Sequence, residues 1–202
     1  MFNLIAIIKA AGYLGIFGII FAESGLFFGF FLPGDSLVFT AGFLASQNYL
    51  NIYVLVIGLF VSAVLGDSVG FWFGQFVGPK IFKREDSRFF HKKNVEEAHK
   101  FFEKYGGKSL ILARFVPVVR TFVPIVAGVA KMDYKKFFSF NVIGGLLWAV
   151  GLCLAGFFLG RVIPNADTYI IPIVLVIIVI SILPGLGHFA GSYLAKKRRS
   201  KN

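Results

Sequence analysis

Cysteine is nearly absent from this chain: Cys153 stands alone in 202 residues, which excludes an intrachain disulfide and a disulfide-stapled secreted domain. It lies in an apolar run and is expected to be a small buried packing residue. Charge is also scarce, at 15% of residues, where a soluble domain carries about 25%. Acids are scarcer than bases, 10 against 21 Lys+Arg, giving a net charge of +11. The three histidines, His91, His99 and His188, are scattered without metal-ligand spacing. No Walker loop, G-x-S-x-G or H-E-x-x-H is present, so no enzymatic activity, cofactor or metal is expected. A basic segment ahead of the first apolar run is missing too, and Lys9 sits inside that run. The N-terminus is therefore expected to be a retained helix rather than a cleaved signal.

What remains is apolar. Hydrophobic residues make up 57% of the chain, with 26 Phe, 23 Gly and a mean hydropathy of +0.78. A soluble fold of this size could not hide so much apolar surface, and the Gly content fits close helix packing in lipid. The positive charge invites a nucleic-acid reading, but its placement opposes one. Nine basic residues lie between Lys80 and Lys108 and five lie at 196–201, while the middles of the long apolar runs hold almost none. That is the distribution of cytoplasmic loops in a membrane protein.

Apolar stretches alternate with breaks over a single membrane domain, 1–202. Residues 4–31 form one run, with Lys9 and Glu23 embedded, and 36–45 follow the breaker Leu32-Pro33-Gly34-Asp35. Residues 52–77, 137–160 and 169–194 are long enough to cross about 30 Å of hydrocarbon. Residues 109–130 are apolar but hold Arg114, Pro117, Arg120 and Pro124. The two Pro-broken stretches are expected to enter the membrane, turn and leave on the same side, which is tolerated where protein or a water-filled cavity covers the loose backbone. Pro33, Gly34, Pro117 and Pro124 are the expected breakers. Segment 81–107 differs: seven Lys/Arg accompany an Asn94-x-x-Glu97 start signal, helically spaced Val95, Ala98, Phe101 or Phe102 and Tyr105, and a Gly106-Gly107 stop. An amphipathic helix on the cytoplasmic face is expected, attracted to anionic lipids there, as is the tail at 196–202.

Sliding the sequence against itself by 86 positions reveals a repeat. Ala41-Gly42 falls on Ala127-Gly128, Val56-Ile57-Gly58 on Val142-Ile143-Gly144, Ala63-Val64 on Ala149-Val150, Gly70-Phe71 on Gly156-Phe157, and Gly74 on Gly160. That is 10 identities in the 34 ungapped positions 41–74. The first copy occupies about 23–78 and the second about 109–161. Uncharged residues follow the first Ala-Gly, whereas Lys131, Lys135 and Lys136 follow the second; at the far helix ends the bias reverses. By the positive-inside rule the copies point opposite ways, and an inverted repeat with broken helices is the signature of alternating-access transporters. Four spanning helices, two re-entrant hairpins and one interfacial helix result, with both termini cytoplasmic.

Glu23, Asp35, Asp67, Arg114 and Arg120 fall at membrane depth, where each lone charge costs about 2.5–3.5 kcal/mol. They must pair, neutralise or face the interior. The first hairpin carries only acids and the second only arginines, and in the 86-residue register Asp35 lands on Thr121, beside Arg120. Arg114 and Arg120 flank Pro117, and a guanidinium fork matches phosphate oxygens. Thr121 is expected to cap the second half-helix, with Asp35 or Ser36 capping its counterpart, so that both N-termini point to midplane. A carboxylate in such a pocket is suited to carrying a proton. The alternative is that these charges merely lock the hairpins together. Asp67 is expected to meet a loop Lys or to take a secondary part in the site. Asn141 has the same secondary place, or makes a helix–helix hydrogen bond.

Several segments together resemble the DedA family, the bacterial branch of the SNARE-associated Golgi protein or VTT-domain membrane proteins. They are Phe21-Ala-Glu23-Ser24, Pro33-Gly34-Asp35, Gly66-Asp67-Ser-Val-Gly70, and above all Ala113-Arg114-Phe115-Val-Pro117-Val-Val-Arg120-Thr-Phe-Val-Pro124-Ile-Val-Ala-Gly128, continuing through Met132, Phe138, Asn141, Gly144 and Trp148. The resemblance covers roughly 20–160. It implies an integral plasma-membrane protein with two re-entrant hairpins that translocates phospholipids or the polyprenyl carrier undecaprenyl phosphate, coupled to a proton or sodium gradient. It also implies that Glu23, Asp35, Arg114 and Arg120 are the functional set.

The expectation is a polytopic lipid transporter of flippase or scramblase type. Arg114, Arg120 and Thr121 bind the lipid phosphate, and Glu23 and Asp35 couple a cation, most simply a proton. Two rivals stand beside it: a small-ion or proton-coupled solute transporter, and a scaffold acting through its basic cytoplasmic face. The sequence leaves the oligomeric state open.

Overall fold

The computed structural model describes residues 4–26, 29, 32–82 and 104–163. Among these residues the chain is all-helical, without strands. α1 is Leu4–Gly25, α2 Gly34–Ser46, α3 Ile52–Phe82, α4 Lys108–Ala113, α5 Pro117–Val129 and α6 Tyr134–Gly145. A five-residue π-helical segment, Leu146–Val150, joins α6 to α7, Gly151–Val162, in one rod. Among the described residues two stretches are long and apolar enough to cross a membrane, Ile52–Val77 and Tyr134–Val162. At about 1.5 Å per residue either outreaches the hydrocarbon layer. Both coincide with expected spans, although α3 runs past 77 to Phe82. The expected spanning helix 169–194, the tail 196–202 and the body of the 81–107 segment lie outside the described residues. Of that segment's end, Lys104 and Tyr105 are helical and the chain turns at Gly106, whose φ of +61° suits glycine at a helix stop.

The breaks differ from expectation at three points. α2 begins at Gly34 after Pro33, and no side chain caps it, so neither Asp35 nor Ser36 is the cap. Asp35 sits in the first turn instead, where a carboxylate complements the helix dipole. α5 begins at Pro117, whose fixed φ and missing N–H suit the first helical position, after extended Val116. Thr121 is therefore inside the helix and is not its cap. Pro124 breaks nothing either: it sits within α5, costing the N–H that the Arg120 carbonyl would otherwise receive, and packed neighbours make such a residue tolerable in a membrane helix. The interruption is Arg114–Val116 alone. At the start of α6, Asp133 does cap, accepting from the Lys136 backbone N–H at 3.0 Å.

Packing is reciprocal. α2 lies against α7 and α5 lies against α3, while α1 also packs on α3. Both contacts bring backbones together at glycine. A Cβ on Gly42 would strike the Cys153 carbonyl, and one on Gly128 would strike the Phe71 carbonyl. One core cluster gathers Ile20, Val38, Leu55, Leu59, Trp148 and Cys153; another gathers Phe71, Leu110, Ala127 and Phe137, with the Phe71 and Phe137 rings stacked at 4.4 Å. Cys153 is buried and free, as its apolar run implied. Meanwhile Ile57, Leu65, Phe76 and Phe158 point outward. Helices apolar inside and out are what lipid solvation demands.

Candidate functional site

The breaks deliver charge to the interior. Glu23 comes from the last turn of α1, Asp35 from the first turn of α2, and Arg120 from near the start of α5. Arg120 is 8% exposed and binds both acids: Nη1 donates to Asp35 Oδ1 at 2.6 Å, and Nη2 donates to Glu23 Oε1. The Trp148 ring lies against the guanidinium, 4.4 Å from ring centroid to Cζ, and its Nε1–H donates to the same Asp35 oxygen at 2.8 Å. The Glu23 carboxyl occupies the space that a Cβ on Gly34 would need, so any larger residue at the start of α2 would push Glu23 aside. Its Oε2 is buried with no hydrogen-bond partner among the described residues. Asp35 has a side chain 40% exposed and forms the open edge of the group.

Arg114 forms a second group. Its Nη2 donates to Asp67 Oδ2 from α3 and to Asn141 Oδ1 from α6. Asn141 Nδ2 in turn donates to the Val64 carbonyl at 3.0 Å and reaches Ser68 Oγ at 3.5 Å. The Ser68 hydroxyl donates to the Val64 carbonyl at 2.8 Å. Gly144 makes room for the arginine: a Cβ there would sit 2.8 Å from Arg114 Cδ. Between the two groups lies a cavity of about 10 Å³, lined by Asp67, Arg114, Arg120, Pro124, Phe137 and Asn141 among others. That is room for about one water molecule.

Three carboxyls thus face two guanidiniums. Every charged partner is within contact, which offsets the penalty of burying it. If all were ionised the cluster would carry one surplus negative charge, and a single proton would balance it. The structure brings Glu23 and Asp35 to Arg120 and sends Arg114 elsewhere. Asp67 meets Arg114 rather than a loop lysine. Asn141 makes both the helix–helix bond and a bond to Arg114. Thr121 is buried beside Arg120 in sequence. Sequence reasoning gave Trp148 no role, although an indole at membrane depth needs a partner for its N–H. It also stands seven residues after Asn141, two helical turns on and so on the same face.

A VTT domain family model matches residues 32–158. The chain is 46% identical to Protein DedA of Escherichia coli (strain K12) over 191 residues, 94% of this chain and 87% of that protein. It is 47% identical over 185 residues to an uncharacterized membrane protein of Mycobacterium tuberculosis (strain ATCC 25618 / H37Rv), covering 91% of this chain and 81% of that one. To Inner membrane protein YqjA of Escherichia coli (strain K12) it is 33% identical over 149 residues, 74% and 68% of the respective chains. No solved structure matches. The chain belongs to the DedA family of VTT-domain membrane proteins.

Proposed function

We propose that this protein moves a lipid bearing a phosphate headgroup, a phospholipid or a polyprenyl phosphate, across the plasma membrane without covalent chemistry. Arg120, with Arg114 behind it, receives the phosphate, and Glu23 and Asp35 couple its passage to a cation, most simply a proton. The observation that carries this reading is Arg120 held between Glu23 and Asp35 in the apolar interior, with Asp35 at the open edge. A phosphate arriving at that edge can offer two oxygens of its own to the guanidinium fork, where the two carboxylates offer one oxygen each. A displaced carboxyl that carries a proton needs no counterion at membrane depth. Binding of lipid and uptake of a proton become linked, and the linkage is reciprocal.

The topology belonging to this reading has four spanning helices, two re-entrant hairpins and cytoplasmic termini. Its two halves are inverted repeats. Support comes from the exchange of partners, α2 on α7 and α5 on α3, with Gly42 and Gly128, 86 positions apart, at the two crossings. Anionic lipids of the cytoplasmic leaflet are the partners of the basic segments at 81–107 and 196–201.

The test is headgroup-resolved lipid movement in proteoliposomes of the purified chain. Movement of a lipid phosphate is expected, and Arg120→Lys, which keeps the charge and loses the fork, lowers its rate about tenfold or more while circular dichroism is unchanged. A fully active Lys variant, or current without lipid movement, defeats the assignment.

A further inference from the structure

Trp148 touches both members of the Arg120–Asp35 pair. Its N–H reaches Asp35 Oδ1 at 2.8 Å while its ring faces the guanidinium at 4.4 Å, and the residue is 5% exposed. It sits in the π-helical segment Leu146–Val150. Such a turn inside an α-helical rod is rare and frequently lies at a functional site. The same rod carries Asn141, so one element supplies a neutral partner to each arginine: Asn141 to Arg114 and Trp148 to Arg120.

A neutral partner matters because the ion pair must open. If a ligand takes Arg120 from Asp35, the carboxylate loses its counterion, and until the ligand is seated the guanidinium keeps Glu23 alone, so opening the pair is costly. An indole can hold both ends. Its N–H remains a donor to the carboxylate, and its face remains an electrostatic partner for the cation. We propose that Trp148 is a positioning residue that holds Asp35 and Arg120 independently, so that the pair opens to a phosphate without stranding either charge. This rests on the reading of Arg120 as a phosphate ligand. The other charges around Asp35 are accounted for. Glu23 of α1 binds Arg120 of α5, and Asp67 of α3 binds Arg114.

The chain has two tryptophans, and Trp72 is exposed on α3, packed beside Phe71 and Tyr134. Trp72→Phe therefore leaves Trp148 as the single reporter. With the full chain in phosphatidylcholine nanodiscs, short-chain phosphatidic acid is the probe. Trp148 emission should change saturably with phosphatidic acid, and Arg120→Gln should abolish the change. The emission should also shift when Asp35→Asn removes the charge that the indole N–H holds. An emission indifferent to both phosphatidic acid and Asp35→Asn makes Trp148 a core filler and overturns the proposal. An emission shift on Asp35→Asn without any phosphatidic acid response keeps the hold on Asp35 and overturns the phosphate reading instead. A second measurement guards against misfolding. Trp148→Phe keeps the ring and loses the donor. It should weaken equilibrium binding of radiolabelled phosphatidic acid about five- to tenfold in the otherwise native chain and less than about twofold beside Asp35→Asn. Equal losses in both backgrounds reduce Trp148 to packing and refute the proposal.

Discussion

Arg120 and Asp35 are 85 positions apart in the chain and 2.6 Å apart in space, and the Asp35 oxygen that accepts the guanidinium also accepts the Trp148 indole. Three helices, α2, α5 and the α6–α7 rod, are thereby tied at one atom. Because Glu23 joins from α1, any ligand that engages Arg120 must compete with two carboxylates drawn from two helices.

That competition sets a pH dependence. Protonating either carboxyl releases its hold on Arg120, so lipid phosphate binding should tighten as pH falls, and lipid binding should take up protons from an unbuffered solution. Glu23→Gln mimics the protonated acid and should retain lipid binding while flattening the pH profile of transport. Asp35→Asn should flatten it likewise. Transport rate against pH for the three proteins decides the matter: two variants with the native profile would reduce both acids to structural pairs.

The Asp67–Arg114 pair should behave as a buried ion pair. Asp67→Asn strands the Arg114 charge among apolar neighbours and should destabilise the fold by about 3–5 kcal/mol. Adding Arg114→Gln removes the stranded charge and should restore part of that loss, a coupling of about 1 kcal/mol or more. Denaturation in detergent of the two single variants and the double variant measures it. Simple additivity of the two losses would show that the contact carries no net interaction.

How these groups come together was only partly legible beforehand. Spans and breaks follow from apolar run lengths and from Pro33 and Pro117, because backbone solvation in lipid leaves few alternatives. The segregation of acids to one broken stretch and arginines to the other anticipates the Arg120–Asp35 contact. The partner of Asp67 was hidden, since nothing local marks a contact 47 residues away. The expected Thr121 cap failed because Pro117, pre-set for a first helical position, starts α5 earlier. Pro124 misled for the opposite reason: a proline inside a helix is affordable where neighbours pack around it. The π-helical segment at Leu146–Val150 has no local signature, so the contact of Trp148 with Asp35 needed the fold.

Gly144 tests whether space for Arg114 limits function. Gly144→Ala places a Cβ 2.8 Å from Arg114 Cδ, which forces the side chain to shift and should lower transport several-fold. Gly151→Ala is the control: a Cβ there meets nothing within 4 Å, and in a helix it should stabilise by about 0.5–1 kcal/mol. Paired measurements of transport and thermal stability should therefore move oppositely in the two variants. A fully active Gly144→Ala protein would mean that Arg114 need not hold its observed path.

The inverted topology is open to direct labelling. Asn48, with φ +64°, turns the chain between α2 and α3, and Lys135 is exposed at the start of α6. These positions are near-equivalents in the 86-residue register, so parallel repeats would put both on one side of the membrane and inverted repeats on opposite sides. The charge bias assigns Asn48 to the outside and Lys135 to the cytoplasm. Cys153 is buried, and Cys153→Ala removes its background altogether. In that background Asn48→Cys should react with a membrane-impermeant maleimide added to intact cells, whereas Lys135→Cys should react only after the membrane is opened. Labelling of both from the same side would remove the inverted repeat, and with it the argument that the acids and arginines of the two halves approach the site from opposite faces.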